Sequence, residues 1–289
     1  MSTEMMSINK VTVIGAGTMG HGIAQVCAMA GCEVVLQDID AAGVERGLEK
    51  IRANLQKGVD RGKVTADAME ESLVRVSGTT DVALAADEAD LVVEAVPEIL
   101  ALKRSLFAQV QAAAPERAIF GTNTSSLSVA GIAAELDDPG RVIGMHFFNP
   151  VHIMKLLEII VADKTRDDVV AAVQAFGARI GKECVTVRDF PGFATSRLGV
   201  ALGMEAIRMV EQGVASPEDI DSAMVLGYRH PVGPLKLTDM VGLDVRLKIG
   251  EYLAKELKNP AFEPPQLMRD MVAGGKLGKK VGQGFYSWD

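Results

Sequence analysis

A short β-branched strand, Lys10 to Ile14, runs without a linker into Gly15-Ala16-Gly17-Thr18-Met19-Gly20 and then into a helical stretch, His21 to Ala30. A strand, a G-x-G-x-x-G turn and a helix in immediate succession form the dinucleotide-binding fingerprint in the context it requires. Gly15 allows the tight turn, Gly17 lets a pyrophosphate approach the helix N-terminus, and Gly20 lets the helix pack on the strand. Thr18 and Met19 complete the candidate cofactor-binding turn. Gly31 ends the helix, Cys32 to Gln37 reads as a second strand, and Asp38 follows, placed to hydrogen-bond ribose hydroxyls. A carboxylate there repels the extra phosphate of NADP, so the cofactor expected is NAD.

The pattern then alternates. Ala41 to Lys63 is helical; strands are expected at Val74 to Ser77, Asp90 to Val96 and Ala118 to Thr122, with helices at Lys103 to Ala114 and Ser128 to Glu135. Alternation of this kind predicts an α/β fold, a Rossmann-type doubly wound parallel sheet. Ligands in such sheets sit beyond the carboxyl ends of the strands. The loops carrying Glu94 and Glu98, and Asn123 to Ser126, are therefore expected to face the cofactor. Ser126 or Ser128 suits the N-cap of the next helix, whereas Ser125 lies outside it and is freer to act.

Arg141 to Ile160, RVIGMHFFNPVHIMKLLEII, sets two titratable groups in apolar runs joined by an Asn149-Pro150 turn. Val142 to Phe148 and Ile153 to Val161 read as strands. The period of two puts Glu158 on the face of Leu156 and Ile160, where a lone carboxylate is costly. His146 is the nearest partner, and a carboxylate that fixes an imidazole tautomer is what a general base needs. The alternative is a surface His and an edge-strand Glu facing water.

Beyond Val185 to Arg188 the sheet pattern stops at Asp189-Phe190-Pro191-Gly192, and the rest reads as helix. Two domains are expected, 1–186 and a smaller all-helical 187–289. Ser196 to Gln212 has so narrow a polar face that burial on more than one side is expected. Further helices are expected from Ser216-Pro217, over Leu243 to Leu257 and over Gln266 to Val272.

Composition narrows the function classes. The formal net charge of -8 argues against non-specific nucleic-acid binding. Against it, the Ala41 to Lys63 helix is locally basic, either a phosphate dock or a solvated face. No apolar run reaches membrane-spanning length, and MSTEMMSINK lacks a signal core, so a cytoplasmic location is expected. Cys27, Cys32 and Cys184 form no CxxC, and the histidines show no metal-ligand spacing, so neither a disulfide framework nor a metal is expected.

GAGTMG with Asp38, VVEAVPE at Val92 to Glu98, NTSSLS at Asn123 to Ser128, GMHFFNP at Gly144 to Pro150, MKLLEII at Met154 to Ile160, HPVGPLKLTDMVGLD at His230 to Asp244 and the GQGFY tail resemble the 3-hydroxyacyl-CoA dehydrogenases, especially the short bacterial 3-hydroxybutyryl-CoA dehydrogenases. The likeness spans nearly the whole chain, and HFFNP followed by MKLLE is its specific part. It implies NAD-dependent oxidation of (S)-3-hydroxyacyl-CoA to 3-ketoacyl-CoA and the reverse. His146 matches the catalytic base, Glu158 its carboxylate, Ser125 the serine on the reacting oxygen and Asn149 the asparagine beside the nicotinamide. Glu98, Lys103 and Lys280 match further cofactor contacts; Asn54 and Arg61 fall where the family binds CoA. Ser196 stands where many members have Asn, a departure at a substrate contact. A homodimer through the helical domain is implied. The competing readings are a dehydrogenase of a free hydroxy acid or sugar acid, and a non-catalytic dinucleotide-binding protein.

Overall fold

In the computed structural model, which describes residues 6–288, β1 (Lys10–Ile14) buries four of its five residues. The start of the N-terminal segment read above therefore lies outside the described residues. The chain divides into two units, Met1–Asp189 and Phe190–Asp289.

The first unit adds β2 (Glu33–Gln37), β3 (Val76–Thr79), β4 (Leu91–Glu94), β5 (Ile119–Thr122), β6 (Val142–Phe147), β7 (Leu156–Val161) and β8 (Glu183–Arg188). They form one eight-stranded sheet in the order β3-β2-β1-β4-β5-β6-β7-β8. The chain moves outward from β1 through β2 to β3, then returns to lay β4 against the other side of β1. That reversal puts the switch point of a doubly wound sheet at the end of β1, where the glycine turn begins. Helices α1 (Gly20–Met29), α2 (Ala41–Asp60), α3 (Ala66–Val74), α4 (Val82–Ala86), α5 (Leu100–Ala113), α6 (Val129–Ala133) and α7 (Asp167–Arg179) complete the unit. Ile23 and Cys27 of α1 and Val173 and Phe176 of α7 share a core with Val13, Leu36, Val93 and Ile159. On α5, Phe107 stacks on Phe120 of β5 at 5.7 Å between centroids.

The α/β fold expected from the alternation is the one observed, with three departures. The sheet is not wholly parallel, because β7 runs antiparallel to β6. The connection from Phe148 to Lys155 is shorter than the dozen or so residues a parallel crossover needs. Next, β7 begins at Leu156 rather than Ile153, since Ile153 and Met154 both donate their N–H to the Pro150 carbonyl and so extend the turn. Finally, Val74 belongs to α3, not to a strand. Thr65 caps that helix by accepting from Ala68 N at 3.1 Å, and Asp81 caps α4 in the same way.

The second unit holds α8 (Thr195–Glu211), α9 (Pro217–Tyr228), α10 (Pro234–Val241), α11 (Leu243–Leu257) and α12 (Gln266–Ala273). Val200, Met204, Ile207, Leu235, Leu253 and Met268 form its own core. Helix α8 buries one face there and leaves Leu198 71% exposed, so the burial on several sides expected of it is not what the chain alone provides. Asp239 of α10, 1% exposed, gathers the tail by accepting from Phe285 N, Tyr286 N and Trp288 Nε1, each at 2.9 Å. Among the described residues no helix is long and apolar enough to cross a membrane.

Candidate active site

Antiparallel pairing of β6 and β7 sets His146 directly opposite Glu158. Residues opposite one another on an antiparallel pair project to the same face, so the register alone brings imidazole and carboxylate together. His146 Nδ1 lies 2.9 Å from Glu158 Oε2. The Glu158 side chain is 0% exposed and that of His146 9%, and the imidazole packs on Phe148 at 4.3 Å between ring centroids. Leaving a carboxylate so deep without a partner costs several kcal/mol, on the order of 3 to 5 for a broken buried pair. Nδ1 is the ring nitrogen turned to the carboxylate.

Just beyond β6, Asn149 is exposed in the turn at the cis Asn149-Pro150 bond. Lys182 donates from Nζ to the carbonyls of Val151 and Met154 (2.7 Å for the latter) and so ties this turn down. Val151 also sits against α1, where a Cβ on Gly22 would come within 2.9 Å of it. Lys182 is a supporting residue that the sequence does not flag: a lysine after a helix gives no sign of what its ammonium will reach.

The loop after β5 is gathered by Glu98. Its Oε1 accepts from the Thr124 hydroxyl at 2.5 Å, Ser125 N at 2.9 Å and Ser126 N at 3.2 Å. Its Oε2 lies 3.2 Å from Lys103 Nζ. Burial alone would push the Glu98 carboxyl up, but the Lys103 ammonium, the Thr124 hydroxyl and the Ser125 N–H outweigh it and hold the group below the usual carboxylate range. Asn123 Oδ1 accepts from Phe147 N at 2.9 Å, joining this loop to β6. Ser128 is the N-cap of α6, accepting from Gly131 N at 3.0 Å, which leaves Ser125 outside the helix.

Glu94 is a correction. Expected to face the cofactor beside Glu98, it is 0% exposed and binds Lys103 Nζ at 2.6 Å and the Thr122 hydroxyl at 2.7 Å. The last residue of a central parallel strand is covered by the helix that follows, here α5, and only the next turn emerges.

The glycine turn is tight at both ends and open in the middle. Gly15 has φ +96°, and a Cβ there would come within 2.7 Å of the Ala95 carbonyl oxygen; a Cβ on Gly20 would lie 1.6 Å from Gly15 O. Around Gly17 a Cβ would meet nothing within 4 Å, so that space is open to a phosphate. Thr18 and Met19 lead into α1, whose first turn carries no acidic side chain. Asp38 accepts from Ala16 N at 2.7 Å through Oδ2 and from Ile39 N at 2.7 Å through Oδ1, which fixes its carboxylate against the turn.

Asn54, half-buried, and Arg61, exposed, lie two turns apart on α2 and its C-cap. Ser196 and Lys280 belong to the second unit. Ser196 is half-buried in the first turn of α8, and Lys280 Nζ pairs with both carboxylate oxygens of Asp244 at 2.6 and 2.7 Å. The first unit thus brings together His146 with Glu158, Ser125 with Glu98 and Lys103, and Asp38 with the glycine turn. Among the described residues no group of three His, Cys, Asp or Glu is arranged to hold a metal ion.

Two family models cover the chain: 3-hydroxyacyl-CoA dehydrogenase, NAD binding domain, over residues 10–190, and the C-terminal domain of the same family over 192–288. The chain is 41% identical to a probable 3-hydroxybutyryl-CoA dehydrogenase of Bacillus subtilis, covering 98% of this chain and 99% of that protein. It is 43% identical to a probable 3-hydroxybutyryl-CoA dehydrogenase of Deinococcus radiodurans over 96% and 100% of the two chains. The crystal structure of (S)-3-hydroxybutyryl-CoA dehydrogenase from Ralstonia eutropha superposes with a TM-score of 0.94 at 41% identity, covering 98% of this chain and 100% of that one. The chain belongs to the 3-hydroxyacyl-CoA dehydrogenase family, and the unit built on the glycine turn carries that family's NAD-binding domain.

Proposed function

We propose that the protein oxidises (S)-3-hydroxyacyl-CoA, 3-hydroxybutyryl-CoA in particular, to 3-ketoacyl-CoA with NAD, and catalyses the reverse reduction. The observation that carries this reading is the His146 imidazole held 2.9 Å from a fully buried Glu158. Bound NAD supplies the hydride acceptor. His146 takes the hydroxyl proton through Nε2 as the C–H electrons leave with the hydride and the carbonyl forms. Glu158 keeps Nδ1 protonated and stabilises the imidazolium that results. Ser125 donates to the reacting oxygen, and Asn149 stands beside the nicotinamide.

The glycine turn, with Gly15, Gly17, Thr18, Met19 and Gly20, takes the pyrophosphate, and Asp38 the adenosine ribose. Glu98, Lys103 and Lys280 complete the cofactor's surroundings. Asn54 and Arg61 take CoA on the basic side of α2, and Ser196 meets the substrate. The substrate class is the one given in the name of the Ralstonia eutropha enzyme. Residues 1–186 serve the cofactor, while 187–289 serve substrate and a homodimer. Leu198, Leu226 and Tyr228, between 71 and 80% exposed in the helical unit, support such an assembly. The location is cytoplasmic.

His146→Ala tests the chemistry. Turnover of 3-hydroxybutyryl-CoA falls by about a hundred- to ten-thousandfold while NADH affinity stays within about twofold. Retained turnover in that variant removes His146 from the reaction.

A further inference from the structure

Lys182 stands between α7 and β8, where Gly181, at φ +74°, turns the chain and Glu183 N donates to the Lys155 carbonyl at 2.8 Å. The residue is 8% exposed, and burial pushes its ammonium below the ordinary lysine range. The charge is met by backbone dipoles: Nζ donates to the Val151 carbonyl and, at 2.7 Å, to that of Met154. A buried ammonium is costly to desolvate, and a neutral Met would cover the same surface without that cost. What the ammonium adds is its donors and the two carbonyls they hold.

The turn it reaches is closed on itself, since Ile153 N and Met154 N both donate to the Pro150 carbonyl at 2.9 Å. On one side Val151 packs on α1, where a Cβ at Gly22 would fall 2.9 Å from the Val151 Cβ. On the other, the ammonium joins the turn to β8. Ahead of the turn the end of β6 is held as well, by Phe147 N donating to Asn123 Oδ1 at 2.9 Å. Asn149 is exposed between these two fixed points, so where its amide stands is set by where the turn is held.

We propose that Lys182 is a positioning residue for the dehydrogenase reaction: by holding the Val151 and Met154 carbonyls it fixes the turn that presents Asn149, and through Asn149 the orientation of the nicotinamide for hydride transfer. The proposal rests on the reading of Asn149 as the residue beside the nicotinamide. Hydride transfer is sensitive to such placement, because a displacement of about 1 Å in a group that orients a reactant can slow the reaction about a hundredfold. The pyrophosphate and ribose are held elsewhere, at the glycine turn and Asp38, so loosening this turn changes the reaction more than the affinity for the cofactor.

The test is a cycle of Lys182→Met, Asn149→Ala and the double variant, each assayed for acetoacetyl-CoA reduction at saturating NADH and for NADH binding by fluorescence titration. Lys182→Met is expected to lower kcat by about ten- to a hundredfold. Its NADH dissociation constant should stay within about threefold of the native value. With NADH deuterated at the transferred position, the isotope effect on kcat should rise, because the slowed step is hydride transfer itself; weaker cofactor binding would instead raise the KM for NADH and leave kcat at saturation unchanged. If Lys182 acts through Asn149, adding Lys182→Met to Asn149→Ala costs little more than Asn149→Ala alone. A lysine that serves the fold only would lower the thermal midpoint and leave kcat of the folded protein native. That outcome, additive losses in the double variant, or a loss confined to NADH affinity overturns the proposal. Lys182→Gln provides a second variant should the first not fold: its nitrogen ends one bond nearer the backbone and reaches both carbonyls only by moving the turn. Lowered kcat is expected there too, and native kcat overturns the proposal. Native turnover in Asn149→Ala sinks the reading of that residue and the proposal with it, whereas a loss there beside native turnover in Lys182→Met sinks the positioning role alone.

Discussion

A buried carboxylate has few ways to exist, and at Glu158 the way taken is a 2.9 Å contact with an imidazole. Glu158→Gln keeps the shape and a hydrogen-bonding group but removes the charge that stabilises imidazolium as the reaction proceeds. Turnover is expected to fall by about ten- to a thousandfold. In the proposed mechanism base and carboxylate act as one unit, so adding Glu158→Gln to His146→Ala should cost little more than His146→Ala alone. Additive losses, measured as kcat for the three variants, would make Glu158 a structural residue only. Both members of this pair are legible in the sequence, since each is a polar interruption of an apolar strand and a period of two fixes its face. Glu94 shows the limit. It too interrupts an apolar strand, yet its depth depends on what α5 lays over the strand end, and that is a tertiary fact. Lys182 leaves no trace at all, because what a long flexible cation reaches is set by the turn it meets.

At the scale of elements the turn from β1 to α1 carries two glycines with opposite reasons to be glycine. A methyl on Gly20 would lie 1.6 Å from the Gly15 carbonyl oxygen, whereas one on Gly17 would meet nothing within 4 Å. Gly20→Ala is therefore expected to force the backbone apart and destabilise the protein by about 2 to 4 kcal/mol, several degrees in thermal midpoint. Gly17→Ala should leave the midpoint within about a degree and weaken NADH binding at least tenfold by filling the space of the pyrophosphate. Thermal unfolding and NADH titration of the two variants check this, and a Gly17→Ala protein as unstable as Gly20→Ala would contradict it. Elements with strong periodicity, β1, α1, β6 and α11, stand in the sequence almost residue by residue. Short helices announced only by a cap, α3 behind Thr65 and α4 behind Asp81, do not, since one Thr or Asp before a few mixed residues is equally a turn. The start of β7 is missed for a related reason: two N–H groups turned to one carbonyl are invisible in a β-branched, apolar string.

For the whole molecule, the net charge of -8 coexists with a basic α2, and the helical unit leaves Leu198, Leu226 and Tyr228 in solvent. Apolar groups so exposed are expected to be covered by a second copy, with an interface more apolar than the general surface. Sedimentation equilibrium at micromolar concentration should give twice the mass of the chain, and a monomer would contradict it. The same scale decides what the active site is for, because in the proposed function α2 takes CoA, and binding energy from so remote a handle is available to the reaction only if the substrate carries it. The direct measurement is kcat/KM with NADH for acetoacetyl-CoA beside free acetoacetate. A CoA-thioester dehydrogenase is expected to favour acetoacetyl-CoA by at least about a hundredfold, and equal values for the two, or a preference for the free acid, would contradict it.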